Sequence, residues 1–143
     1  MKVSICSRSD IYRIINEGIP QNTAIISFAD TVDDFIEFPT NANVMKIAFY
    51  DYSPYSIPVS DYHKVLPEAP EIAKFVDTNI KKGKNIICQC DYGVSRSAGL
   101  AAAIMEHYKK EGIKVFANYR YMPNRFVFNK VLAALNLLNK KIN

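Results

Sequence analysis

At 143 residues the chain is long enough for one compact domain with its own core and short for two, and 49% hydrophobic with 22% charged residues and only 5 Gly excludes a disordered or low-complexity chain. No apolar run approaches the roughly 18 residues that span a bilayer, and Met1-Lys2-Val3-Ser4-Ile5-Cys6 lacks the apolar segment of an export signal, so a cytoplasmic location without membrane association is expected. Eighteen Lys and Arg against fourteen Asp and Glu give +4, gathered in short Lys clusters such as Lys81-Lys82 that complement helix ends. This argues against a nucleic-acid partner and mildly suits an anionic substrate.

Residues Lys2 to Cys6 read as a first strand, after which Ser7 or Ser9 caps a helix ending at Gly18. Thr23 to Phe28 reads as a buried strand, and Asn43 to Tyr50 as another that stops at Asp51. Tyr52 to Leu66 shows no helical period and is the longest irregular segment, a place where function often sits. A helix from Pro67 or Pro70 places Ile72, Phe75, Val76 and Ile80 on one face and ends at Gly83. Lys84 to Gln89 is then a central strand, followed by a helix from near Arg96 to Gly112 and a last helix from Pro123 or Asn124. Residues 1–143 thus read as a single α/β domain, with a mostly parallel central sheet of four to five strands flanked by helices.

The informative segment is Cys90-Asp91-Tyr92-Gly93-Val94-Ser95-Arg96-Ser97, between a buried strand and a helix start. A loop this short must curl tightly. Gly93 is free to take a conformation closed to other residues, and the amides from Asp91 through Tyr92, Gly93, Val94 and Ser95 to Arg96 can then converge on one anion. The helix N-terminus adds positive potential, and Arg96 can hold two phosphate oxygens in a fork. The same fields favour the thiolate of Cys90 over the thiol. Three cysteines suit a reducing compartment, with Cys88 read as core and Cys6 as a redox partner only if its strand lies nearby. His63 and His107 stand alone, so neither a metal site nor a cofactor is expected. Asp91 and the Asp33-Asp34 pair read as solvated carboxylates.

Cys90, Gly93, Arg96 and Ser97 reproduce a Cys-x5-Arg-Ser pattern, and over the last two-thirds the chain resembles cysteine-dependent protein-tyrosine and dual-specificity phosphatases. Asn118-Tyr119-Arg120-Tyr121-Met122-Pro123-Asn124 is similar to small prokaryotic proteins predicted to be tyrosine phosphatases. The resemblance implies a dual-specificity-phosphatase-like fold and a two-step reaction without cofactor, in which Cys90 forms a phosphocysteine that water then hydrolyses. It implies that Arg96 clamps phosphate and that Ser97 eases departure of the thiolate. One departure is Gln89, where the family usually places His; Gln donates a hydrogen bond but carries no charge.

The resemblance also implies an Asp on a loop after an earlier strand as proton donor. Asp51 ends the strand before the long loop, whereas Asp61 lies 29 residues before Cys90, closer to the dual-specificity spacing. Position at the strand end favours Asp51, with Asp61 as the alternative. The implied substrate is a phosphorylated protein or peptide, and the oligomeric state stays open. Two other readings stand beside it: a catalytically weak phosphoprotein-binding module, and a phosphatase of non-protein phosphates such as phosphoinositides or RNA 5′-phosphates.

Overall fold

The computed structural model describes residues 1–142 and orders the elements as β1 (Val3–Cys6), α1 (Arg8–Glu17), β2 (Thr23–Ala29), β3 (Val44–Ala48), α2 (Ala69–Lys81), β4 (Asn85–Gln89), α3 (Arg96–Lys109), α4 (Ile113–Phe116) and α5 (Arg125–Ile142). The four strands form one all-parallel sheet in the order β1-β4-β2-β3, with Ile5 opposite Cys88, Ile26 opposite Cys88 and Ile26 opposite Met45. All seven residues of β2 are buried, as expected of a strand covered on both faces.

Alternation along β2 and β4 divides the core. Ala24, Ile26, Phe28, Ile86 and Cys88 point to the layer made by α2, α3 and α5, while Ile25, Ile87 and Cys6 meet Ile11 of α1 and Ile36 on the other face. Helix α3 is buried from Arg96 to Ile104 and carries Ala98, Ala101, Ala102 and Ala103, small side chains that let the sheet and α5 close on it. Gly99 takes this to the limit, because a Cβ there would come within 2.5 Å of the Asn124 carbonyl oxygen.

Several boundaries differ from the sequence reading. Strand β3 stops at Ala48, so Asp51 lies three residues beyond it. The segment expected to be irregular contains a 3-10 helix, Val59–Lys64, entered from Pro58; its three-residue repeat is invisible to a search for a 3.6 period. Helix α3 stops before Gly112, capped by Lys110, a non-glycine residue in the left-handed conformation with φ 57°, and the short α4 has no sequence signal. Among the described residues, no helix is long and apolar enough to cross a membrane.

In a parallel sheet every strand ends at the same edge, and the crevice beyond the carboxyl ends is where open α/β sheets bind ligands. Here the residues beyond the four strands are Ser7-Arg8 after β1, Asp30 after β2, Asp51 beyond β3 and Cys90 after β4. The topology alone brings these four loops together.

Candidate active site

The loop Cys90 to Ser95 leaves β4 with the Cys90 N–H donating to the Cys6 carbonyl at 3.2 Å and the Asp91 carbonyl accepting from the Arg8 N–H at 3.0 Å. It is thus tied at its start to the end of β1. Gly93 sits at φ +67°, and a Cβ there would lie 2.8 Å from the backbone nitrogen of Ser7, so both conformation and space require glycine. At its far end the Val94 and Ser95 carbonyls accept from the Met122 and Asn124 N–H groups at 3.0 and 2.9 Å. The cradle is clamped between β1 and the entry to α5.

Cys90 is 2% exposed and its Sγ lies 3.0 Å from Ser97 Oγ, with the Ser97 N–H donating to it at 3.4 Å. Ser97 is the second residue of α3, so this N–H is one of the orphan donors of a helix N-terminus, which carries partial positive charge. Burial pushes the Cys88 thiol well above its ordinary pKa and raises Cys6 as well. Gln89, fully buried, accepts from Ser27 Oγ and donates to the Cys90 carbonyl at 3.0 Å. A neutral amide therefore holds the backbone of the nucleophile candidate in place, which accounts for Gln in this position: a charged imidazolium beside buried Ser27 would need desolvating.

Arg96 is 4% exposed, a buried cation that must be paired. Its Nη1 donates to the Phe49 carbonyl at 2.6 Å and to Asp30 Oδ1 at 2.9 Å. Nη2 lies 3.6 Å from Asp91 Oδ2, beyond hydrogen-bond range. The Nε–Nη2 edge is consequently left for a bidentate contact to an oxyanion, while Nη1 anchors the fork.

Asp51 lines the same cleft as Cys90 and Arg96, a cavity of about 710 Å³. Its Oδ1 accepts from Ser95 Oγ at 2.6 Å and from Asn124 Nδ2 at 2.8 Å, and Asn124 Nδ2 also reaches the Tyr52 carbonyl at 2.8 Å. Asp61 does not line this cleft: it pairs with Lys64 at 3.5 Å and faces a neighbouring cavity with Ile57, Pro58 and Val65, which Asp30 and Tyr52 also line. Tyr52, Tyr55, Phe116 and Tyr121 give the cleft an aromatic wall, with Tyr92, 86% exposed, at its mouth and Arg125 on its border.

Three side chains take places at this site that the sequence does not announce. Asp91 is only partly solvated, because the curl of the loop turns it between Arg8 Nε at 3.3 Å and Arg96. Asp30 belongs to no motif, although its place one residue beyond a buried strand is a signal of the same kind as that for Asp51. Asn124 reads in the sequence as a helix start and as the end of the Asn118–Asn124 stretch, with no role at the site. It does cap α5, its Oδ1 accepting from the Val127 N–H at 3.0 Å, but it spends its amide on Asp51.

No family model and no curated protein matches the sequence. Solved structures do match the fold. DUSP15 superposes with a TM-score of 0.64 at 14% identity, covering 99% of this chain and 92% of the other. The PTP-2 phosphatase of Cydia pomonella gives 0.61 at 14% identity over 93% and 85% of the two chains. OH1 from the Orf virus, described as a tyrosine phosphatase with triple substrate specificity, gives 0.59 at 12% identity over 99% and 84%. PTPMT1 in complex with PI(5)P gives 0.53 at 14% identity over 99% and 95%. The fold is that of the cysteine-dependent protein-tyrosine and dual-specificity phosphatases.

Proposed function

We propose that this protein is a phosphate monoester hydrolase that works through a phosphocysteine at Cys90, with a preference for phosphotyrosine. The observation that carries the reading is the Cys90 sulfur at the base of the loop, 3.0 Å from Ser97 Oγ, beneath an arginine that keeps one edge of its fork open. A site built only to bind phosphate has no use for a sulfur held this way.

The thiolate attacks phosphorus in line with the ester oxygen, forming the S–P bond as the O–P bond breaks. Asp51 gives its proton to the departing oxygen; both of its contacts fall on Oδ1, which leaves Oδ2 to carry that proton. The amides of the loop and the Nε–Nη2 edge of Arg96 take the charge on the equatorial oxygens. In the second step the Asp51 carboxylate accepts a proton from water, the water oxygen attacks phosphorus, and the S–P bond breaks. The Ser97 hydroxyl and N–H donate to the sulfur as it regains its charge. The chemistry needs no group beyond these side chains, water and the substrate.

Substrate preference follows from the walls. Tyr52, Tyr55, Phe116 and Tyr121 suit a flat aryl group between the loop and the entry to α5. A polyphosphorylated inositol would call for further cations beside the cradle, and the loop instead places Asp91 there. The direct test is hydrolysis of p-nitrophenyl phosphate in excess chelator, present in the wild type and lost in Cys90→Ser. Phosphotyrosine and phosphoserine peptides of the same sequence then test preference: hydrolysis of the phosphoserine peptide alone overturns the tyrosine assignment.

A further inference from the structure

We propose that Arg8 is a positioning residue for the phosphate site, drawing the Asp91 carboxylate away from Arg96 so that the open edge of the guanidinium stays available to the substrate. The inference rests on the phosphatase reading above and adds a residue to it. It starts from a contradiction in the loop. A cradle for a dianion carries a carboxylate at its first position after the nucleophile, where repulsion works directly against phosphate.

The geometry resolves the contradiction. Asp91 Oδ2 is 3.6 Å from Arg96 Nη2, on the very edge that phosphate requires, while Asp91 Oδ1 is 3.3 Å from Arg8 Nε. A carboxylate facing a lone guanidinium closes to about 2.7–2.9 Å and takes two parallel hydrogen bonds. Here the carboxylate is shared between two arginines and reaches Arg96 only as a long ion pair at 3.6 Å, without a hydrogen bond. Arg8 is held in place by three further contacts, although its side chain is partly exposed. Its Nη1 donates to Tyr12 Oη at 2.9 Å, its Nη2 to the Asp34 carbonyl at 2.5 Å, and its N–H to the Asp91 carbonyl at 3.0 Å. Its backbone is the first residue of α1, set by the capping box of Ser7 and Asp10. Arg8, Asp91, Arg96 and Asp30 form a row of alternating charge across three loops, and the row sums to zero before substrate arrives.

Without Arg8, Asp91 closes on Arg96 as an internal competitor of phosphate. Arg8→Gln, which keeps a polar side chain able to bond Tyr12, is expected to raise KM for p-nitrophenyl phosphate and Ki for inorganic phosphate about tenfold, the scale of one charge-assisted contact, with kcat within about threefold of wild type. Adding Asp91→Asn, which removes the competitor, is expected to bring both constants back to within about twofold to threefold of wild type. Arg8→Lys, which restores the charge, is expected to recover most of the loss and serves if Arg8→Gln folds poorly. A structural role for Arg8, or direct contact with phosphate, leaves the double variant as weak as the single one, and that result overturns the proposal. Phosphate binding by calorimetry in the Cys90→Ser background repeats the cycle without turnover. A wild type inactive on aryl phosphates sinks the phosphatase reading, whereas an active wild type with no rescue sinks only the role of Arg8.

Discussion

Replacing Asp51 by Asn isolates the acid chemistry from the architecture around it. In Asp51→Asn the carbonyl oxygen of the new amide can keep both contacts now made by Oδ1, from Ser95 at 2.6 Å and Asn124 at 2.8 Å, so the loop has no reason to move. What disappears is the transferable proton on the second oxygen. General acid catalysis contributes about 10²–10⁴-fold, so turnover of phenyl phosphate, a poor leaving group, is expected to fall at least about 100-fold, or roughly 2.7 kcal/mol of transition-state stabilisation. p-Nitrophenyl phosphate, whose leaving group tolerates departure as the anion, is expected to lose less. Asp51→Ala adds a structural cost, because two hydrogen bonds worth about 1 kcal/mol each are broken, and its melting temperature should fall where that of the Asn variant does not. Steady-state kinetics on the two esters with thermal denaturation separates these effects. Loss of less than about tenfold on phenyl phosphate, or an equal loss in Asp61→Asn, refutes the assignment of Asp51.

Ser97→Ala is expected to slow the second step more than the first, so that stopped-flow traces on p-nitrophenyl phosphate show a burst of product absent from the wild type; a uniform slowing of both phases contradicts the role of this hydroxyl at 3.0 Å from the sulfur. Iodoacetamide at neutral pH is expected to label Cys90 and spare Cys6 and Cys88, whose thiols burial holds high, with inorganic phosphate protecting Cys90; peptide mapping reads the outcome. Gly99→Ala drives a Cβ to within 2.5 Å of the Asn124 carbonyl and is expected to cost at least about 1–3 kcal/mol in urea denaturation while also lowering turnover, since Asn124 holds Asp51. Hydrogen bonds from the Ser7 backbone and hydroxyl hold the Asp10 carboxyl below its usual range, so its contribution is complete above the ordinary carboxylate pKa near ~3.9 and is lost as pH falls through the lower folded value. Stability of wild type and Asp10→Asn is therefore expected to differ at neutral pH and to converge in strong acid.

How much of this was legible in the sequence depended on whether the signal was local. Cys90, Gly93, Arg96 and Ser97 are near neighbours in one strand-loop-helix turn, and their spacing is the signal for the chemistry proposed for them. The parallel sheet was legible too, because β2 and β4 are short apolar runs between amphipathic helices. Asp30 and Arg8 were not, since they reach Arg96 and Asp91 across 66 and 83 residues of chain, and nothing local marks a carboxylate or an arginine for such a partner. Asn124 reads as a cap, which it is; its bond to Asp51 depends on α5 starting against the loop, a close approach that Gly99 permits and that no periodicity announces. The sequence leaves Asp51 and Asp61 as alternatives because the long loop between them carries no periodic signal of its course. The 3-10 helix places Asp61 on a neighbouring cavity that Asp30 and Tyr52 also line, a placement that no local pattern announces.

The central claim is that Cys90 itself becomes phosphorylated during turnover. Acid quench of the protein mixed with excess p-nitrophenyl phosphate, in the Ser97→Ala background where the intermediate should persist, followed by intact-mass and peptide analysis, tests it most directly. A single added phosphoryl group on the peptide containing Cys90, absent from Cys90→Ser, is the predicted result. Sustained turnover with no adduct on Cys90, or turnover that survives Cys90→Ser, contradicts the account.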